Sequence, residues 1–308
     1  MTDETILALD VGTSGCRAEV FSLAGHSLAR HYVEYALHSP VPGAAEQLPE
    51  DWWQAIVTCT REAMRQAGNT HCRAIGLSVQ GHSWVPVDAQ FRPLRPALTW
   101  LDARASPEVA RLLEDHPVQS WGNWVGKQPG QWHLLPQLLW LRDTEPETMA
   151  QATRYPFAHD YLLHRLCGRV LTDFTIAAGS LLFDIRQWQW SQPLLNEYAV
   201  PTEALSEVVP AGTAAGTLTP QAAEALGLRT DVVVAVGAQD QKVAALAAGL
   251  DARSATASLG TATAIMARSL SHASPLNMAP SRASHTCSAV NGSLRRRSGT
   301  RKSTSSSR

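Results

Sequence analysis

The feature that most constrains this chain is residues 5–24, Thr-Ile-Leu-Ala-Leu-Asp-Val-Gly-Thr-Ser-Gly-Cys-Arg-Ala-Glu-Val-Phe-Ser-Leu-Ala, where a lone acid and a Gly-Thr-Ser-Gly turn separate two apolar runs. Residues 6–9 predict a buried strand ending at Asp10. Alternation at Ala18, Val20 and Leu23 predicts the return strand, running toward a second turn at Gly25. A carboxylate at a strand end, followed by glycines that leave backbone N–H groups exposed, suits a hydrated Mg²⁺ beside phosphates. The same residues also make an ordinary hairpin, and this stretch alone leaves both readings open.

Further along, Glu46-Gln-Leu-Pro-Glu-Asp-Trp-Trp sets a proline and two acids at a helix start, and that helix is predicted to run to about Gly68. Residues 73–79 predict another strand, ending at Gln80-Gly81-His82-Ser83, with residues 84–88 as the next strand. Strand ends in such a sheet are where ligands gather. Leu134, Leu135, Leu138, Leu139 and Leu141 recur at helical spacing within 131–142, and residues 155–166 carry a second core helix. A Pro- and Gly-punctuated stretch over 209–216 leads to a short helix over 219–226. The run Asp231-Val-Val-Val-Ala-Val-Gly then predicts a buried strand that opens a new unit. An Ala-rich helix over 242–249 and a strand over 255–259 follow, entering Gly260-Thr261 in a partial repeat of the opening pattern.

A chain of 308 residues holds enough apolar side chains for one large domain or two. Met1 to Glu4 does not read as a signal peptide, and no apolar run approaches the roughly 20 residues that span a bilayer. Cys16, Cys59, Cys72, Cys167 and Cys287 lack the spacing of a zinc site or a disulfide framework, so a reducing, cytoplasmic location is expected. The net charge of -1 conceals a segregation. Residues 269–308 hold seven basic residues, no acid and twelve serines, which leaves 19 basic against 27 acidic residues over 1–268. The globular part is therefore a poor nucleic-acid binder, and the tail is expected to be disordered.

Asp10-x-Gly-Thr-Ser, Gln80-x-His82, Trp100-Leu-Asp-Ala-Arg104, Gly237-Ala-Gln-Asp-Gln241 and Ser258-Leu-Gly-Thr261 occur in a specific order. Glu46-Gln-x-Pro-Glu-Asp-Trp-Trp, Leu138-Leu-Trp-Leu before Glu145-Pro-Glu, and Asp160-Tyr-Leu accompany them. Over about residues 5–267 this order resembles the FGGY carbohydrate kinases, especially their xylulokinase branch. The resemblance implies an α/β, actin-like (ribonuclease-H-like) ATPase fold. Its first domain would be complete over 1–230, its second incomplete over 231–268, and a Ser/Arg-rich tail would follow over 269–308. It implies ATP and Mg²⁺ as cofactors, a small-molecule sugar as partner, no membrane or nucleic-acid partner, and a homodimer as the assembly to test.

The implied reaction is phosphorylation of a sugar hydroxyl, on a ketose such as xylulose or a related polyol. By resemblance Asp240 is the general base and touches the sugar, with Gln241 beside it; a helix N-cap role for Asp240 is compatible with both. Asp10 would position Mg²⁺. Gly12, Thr13 and Ser14 would form the first phosphate loop, and Gly260 and Thr261 the second. Gln80 and His82 would contact sugar hydroxyls. Trp100, Asp102 and Arg104 would line the sugar site, a surface ion pair being the alternative for the last two. Gly81 stands where xylulokinases usually carry Met, which implies a roomier site.

Family members carry a glycine-rich adenine site in a larger second domain, after the Gly-Thr loop. The abrupt change beyond residue 268 is what truncation or a frameshift of a longer kinase gene would produce. Weak ATP binding is then expected, along with exposed apolar edges at 232–236 and 255–259. The competing reading is a non-enzymatic sugar-binding remnant.

Overall fold

The computed structural model describes residues 4–251, 253–259, 263–267 and 286–287. A mixed sheet grows from the N-terminal hairpin. β1 (Glu4–Val11) and β2 (Gly15–Ser22) pair antiparallel with Asp10 opposite Arg17, and β3 (Ser27–Glu34) pairs antiparallel with β2. The period of two along β1 sends Leu7, Leu9 and Val11 into the core and turns Ile6, Ala8 and Asp10 to the other face. α1 (Pro49–Gln66) covers the core face with Trp52, Trp53, Ile56, Cys59 and Ala63. Pro49 in its first turn needs no N–H partner, and Glu50 and Asp51 there complement the helix dipole.

β4 (His71–Val79) returns parallel to β1 and sets Ser78 beside Asp10. The chain then leaves the sheet for a helical layer: α2 (Ser106–Asp115), α3 (Val118–Val125), α4 (Leu134–Thr144) and α5 (Ala158–Cys167). It re-enters with β5 (Ala214–Thr217), α6 (Pro220–Leu226), β6 (Val233–Ala235) and β7 (Ala238–Gln239), followed by α7 (Asp240–Ala247). The sheet order is β5-β6-β4-β1-β2-β3, with β7 also paired to β4. Beyond it β8 (Ala255–Leu259) and β9 (Thr263–Ala267) pair antiparallel.

Two cores meet at the end of β4. One, containing Leu7, Leu9, Ile56, Ile75, Tyr161 and Val234, lies between the sheet and α1, α5 and α6. The other gathers Trp84, Leu98, Trp121, Leu134, Leu138 and Leu181. Gln80 to Ser83 is the crossing between them.

Several expectations need correction. The strand after Asp231 does not open a new unit, because β6 is hydrogen-bonded parallel to β4 in the same sheet, Val233 beside Ala74. Residues 232–236 are accordingly apolar because they are interior, with Val232, Val234 and Val236 at most 1 % exposed, and not an abandoned edge. Residues 84–88 make only isolated bridges, Trp84 to Leu98 and Phe157, Val87 to Pro93 and Arg154. Pro86 brings no N–H with which to extend a ladder. Helices α4 and α5 begin three residues later than the apolar periodicity suggests. The Ser/Arg tail lies outside the described residues except Thr286–Cys287, which pairs with Ala264 and Ile265. Cys16, Cys59, Cys72 and Cys167 are free thiols.

Candidate active site

The site forms where β1, β4 and β7 end together. Asp10 and Ser78 are register partners and share a hydrogen bond, Ser78 Oγ donating to Asp10 Oδ1 at 2.9 Å. Ala238 pairs with the same Ser78, so Asp240 opens α7 just past the level of Asp10. Gly237 permits this approach: a Cβ there would lie 2.0 Å from the Leu77 carbonyl oxygen. Its N–H donates to Nε2 of buried His159 at 3.0 Å, which tethers the β6–β7 break to α5. Burial pushes the Asp240 carboxyl above the ordinary aspartate range, and the Asp10 charge adds to the rise. The Gln241 N–H, donating to Oδ1 at 2.6 Å, and the Lys242 ammonium oppose it without cancelling it. A carboxylate so placed is a better proton acceptor than a free one.

The Gly12–Ser14 turn is held by its carbonyls. Tyr35 Oη donates to the Gly12 and Gly15 oxygens, Gln47 Nε2 to the Thr13 oxygen at 2.7 Å, and Trp100 Nε1 to Thr13 Oγ1 at 2.7 Å. The N–H groups of Thr13 and Ser14 have no partner among the described residues, which is the arrangement a phosphate-binding turn requires. Asp10 beside them fits a hydrated Mg²⁺ held by one carboxylate and by phosphate oxygens. Among the described residues no cluster of three or more His, Cys, Asp or Glu side chains is placed to hold a metal without a ligand's help. Gly260 and Thr261 lie outside the described residues.

Toward the second core, His82 adopts φ +65°, a left-handed conformation that costs a non-glycine residue about 1 kcal/mol. That backbone aims its ring at the Gly179 carbonyl, 3.2 Å from Nδ1, and edge-on to His133 at 5.2 Å. Burial, reinforced by His133, Lys127 and Lys242, holds the His82 pKa well below the usual imidazole value. The ring is neutral at physiological pH; with Nδ1 donating to the carbonyl, Nε2 is left as an acceptor for a ligand hydroxyl. Burial likewise lowers His133 to about 3.

Gln80 is placed differently from its expected role. Its side chain is buried and donates from Nε2 to Gln47 Oε1 at 2.8 Å, while its Oε1 accepts from Ser83 Oγ. Because Gln47 also grips Thr13, Gln80 ties the β4 end to the phosphate turn. The room expected at Gly81 is filled: a Cβ there would lie 2.4 Å from Nε2 and 2.7 Å from Cδ of Gln239, whose side chain stands over the glycine. Gln241 has a buried side-chain oxygen with no partner among the described residues.

Asp102 and Arg104 form a buried ion network, neither a surface pair nor free ligands. Asp102 is fully buried and accepts from the Ala45 N–H at 2.9 Å and from the Arg104 guanidinium at 2.7 Å. Arg104 also bonds Glu46, which bonds Arg95, and it lies 4.3 Å from the Trp140 ring. Both carboxylate oxygens of Asp102 are thus engaged within the protein. This network fixes the segment that carries Trp100 and Gln47 against the phosphate turn.

Three groups escaped sequence reading: Lys127, Lys242 and Gln239. Lys242 stands two residues beyond Asp240, a visible signal. Lys127 and Gln239 become legible only through the fold.

A family model described as the N-terminal domain of the FGGY family of carbohydrate kinases matches residues 5–247. The xylulose kinase of Escherichia coli K12 is 34% identical over 263 residues, covering 83% of this chain and 52% of that protein. The structures of a gluconate kinase and a ligand-bound xylulose kinase from Lactobacillus acidophilus each superpose with a TM-score of 0.82 at 24% identity. They cover 85% of this chain and 53% and 54% of theirs. The chain thus spans about half the length of these relatives, and the shared architecture is the actin-like, ribonuclease-H-like fold of sugar kinases. On its match over residues 5–247, the chain belongs to the FGGY family of carbohydrate kinases.

Proposed function

We propose that this protein binds a sugar or polyol at the end of β4 and belongs to an ATP-dependent phosphotransfer site in which Asp240 is the general base. The observation that carries the reading is Asp240 itself. Its carboxylate is raised toward the pKa a base needs and stands at the same sheet end as Asp10 and the unpartnered Thr13 and Ser14 amides. A sugar hydroxyl is a poor nucleophile. A carboxylate within reach accepts its proton as the oxygen bonds to phosphorus and the bond to the leaving nucleotide oxygen breaks.

His82 Nε2 is placed to accept a hydrogen bond from a second hydroxyl and so orient the sugar. Asp10 would hold hydrated Mg²⁺, which supplies charge neutralisation on the phosphates when bound. The chain's own turn would hold the phosphates through Thr13 and Ser14, braced by Tyr35, Gln47 and Trp100. Gln80, Asp102 and Arg104 act as positioning residues for that brace.

The test is a coupled ADP-release assay over xylulose, ribulose, fuculose, rhamnulose, glycerol and gluconate. Turnover on any one, reduced about 10²- to 10⁴-fold in Asp240→Asn, supports the reading. Turnover that survives the substitution unchanged would remove Asp240 as the base. The second reading is a sugar-binding protein without turnover. It predicts sugar binding that depends on His82 with no ADP release.

A further inference from the structure

Asp240 and His82 reach the site from different elements, the start of α7 and the crossing after β4. One short segment touches both. It spans residues 173–179, Asp-Phe-Thr-Ile-Ala-Ala-Gly, around the one-turn helix Phe174–Ala177. A single helical turn does not hold itself in water. Here the Asp173 carboxylate, 1 % exposed, caps it. Its Oδ1 accepts from the Ile176 N–H at 3.0 Å and from the Thr175 hydroxyl at 2.9 Å, and its Oδ2 accepts from the Thr175 N–H at 3.0 Å. Ile176 anchors the turn in the second core.

One end of the segment grips the strand that carries the base. The Thr175 hydroxyl has a single proton, and it goes to Asp173. Its lone pairs are left for the Gln239 N–H, which donates to Oγ1 at 3.0 Å. Among the described residues β7 pairs only with β4, and the N–H groups of Gly237 and Gln239 go instead to two side chains, His159 and Thr175. Gln239 is the last residue before Asp240, so Thr175 fixes where α7 begins. The other end grips His82. The Gly179 carbonyl lies 3.2 Å from Nδ1, and a carbonyl only accepts, so the ring proton is fixed on Nδ1 and Nε2 keeps its lone pair. Position 179 is crowded against that ring: a Cβ there would lie 2.8 Å from Nδ1 and 3.0 Å from Cε1.

We propose that residues 173–179 set the separation between Asp240 and His82, with Thr175 and Gly179 as positioning residues. The proposal rests on the sugar-kinase reading of Asp240 and says how that site is held. A sugar that offers one hydroxyl to Asp240 while another meets His82 Nε2 depends on that separation, since misplacing a reacting group by about 1 Å costs on the order of 10²-fold in rate. Thr175 acts through the base and therefore on kcat. Gly179 acts through an orienting hydrogen bond and therefore on KM.

The test uses the full 308-residue protein and the sugar it turns over. Thr175→Val keeps the branched shape and removes the hydroxyl, whereas Thr175→Ser keeps the hydroxyl. Amide exchange at Gln239 should accelerate about tenfold in Thr175→Val, for the loss of one hydrogen bond. Its kcat should fall about 10- to 100-fold with KM within about threefold, and Thr175→Ser should recover most of that loss. Gly179→Ala should move the His82 ring-nitrogen NMR shifts away from the Nδ1–H form and raise KM about tenfold, with a smaller effect on kcat. That variant carries the test by itself if Thr175→Val does not fold. A folded Thr175→Val with unchanged kcat overturns the proposal, as does a loss that Thr175→Ser fails to recover. A His82 ring displaced in Gly179→Ala with unchanged KM overturns it as well. In each of these cases turnover that still requires Asp240 leaves the kinase reading standing. Turnover of no sugar by the unaltered protein removes that reading, and the proposal with it.

Discussion

Asp240 holds a carboxyl where burial and the nearby Asp10 disfavour its charge, even with Lys242 close by. The folded-state pKa is raised above that of the unfolded chain. Below the unfolded value both states are protonated and the group costs nothing. As pH rises through the folded value, the buried charge forms and stability is lost. Asp240→Asn, which removes the charge and keeps the shape, should therefore melt higher than the unaltered protein at pH 7 to 8. The gap should close as pH falls to about 4, near the ordinary aspartate value. Melting curves across that range, run beside the ADP-release assay, check both halves: a more stable protein with a lost activity. A variant that melts lower at pH 7 would show that the ionised carboxylate is a structural partner. The same residue shows how far sequence reasoning reaches. Its place before an Ala-rich helix is written in Gly237-Ala-Gln-Asp, but its proximity to Asp10 exists only because β7 and β1 both pair with β4.

At the scale of elements, the strands and helices that alternate cleanly in the chain are the ones the fold uses as expected. β1, β2, α1 and β4 carry simple periods of two or 3.6, with Pro49 marking the helix start. The sequence is silent where partners are distant. Asp102 and Arg104 sit two residues apart and look like a local pair, yet their network reaches Glu46 and Arg95 and the Ala45 amide. Gly81 looks like vacant space until Gln239, brought from the far end of the chain by β7, fills it. The ion network yields a stability prediction. Asp102→Ala leaves the Ala45 N–H without its acceptor and the Arg104 guanidinium with Glu46 alone, and removing one partner from a buried ion pair typically costs about 3–5 kcal/mol. For a domain of this size that corresponds to a fall in melting temperature of roughly 10 °C. Because the network braces Trp100 and Gln47, amide exchange at Gly12, whose N–H donates to the Gly15 carbonyl across the turn, should accelerate in the folded variant. A drop of less than about 2 °C would mean that the network is not holding the segment.

Across the whole molecule, the sugar and the nucleotide depend on different parts. The residues proposed for the sugar, His82 and Asp240, both lie among the described residues, at the sheet end where Gln239 stands over Gly81. The residues proposed for ATP divide between the Gly12–Ser14 turn and the Gly260-Thr261 loop, and the resemblance assigns the adenine site to a second domain. The chain meanwhile spans about half the length of its relatives. A ligand that binds only the folded state stabilises it by mass action, by about 2.7 kcal/mol at a hundred times its dissociation constant. For a domain of this size that is a rise in melting temperature of roughly 5–10 °C. A saturating concentration of the sugar or polyol that the protein takes should produce such a rise, and His82→Ala should abolish it. If the Gly12–Ser14 turn and Asp10 alone engage the phosphates, ATP–Mg²⁺ at about 1 mM should move the transition by less than about 1 °C, since two amides and one carboxylate hold a triphosphate weakly. Micromolar ATP binding by titration would overturn this division and place a complete nucleotide site within these 308 residues. A rise with sugar and none with ATP would instead describe a sugar site that folds and binds its ligand independently of the nucleotide. Phosphotransfer would then require a second body to bring the nucleotide to Asp240.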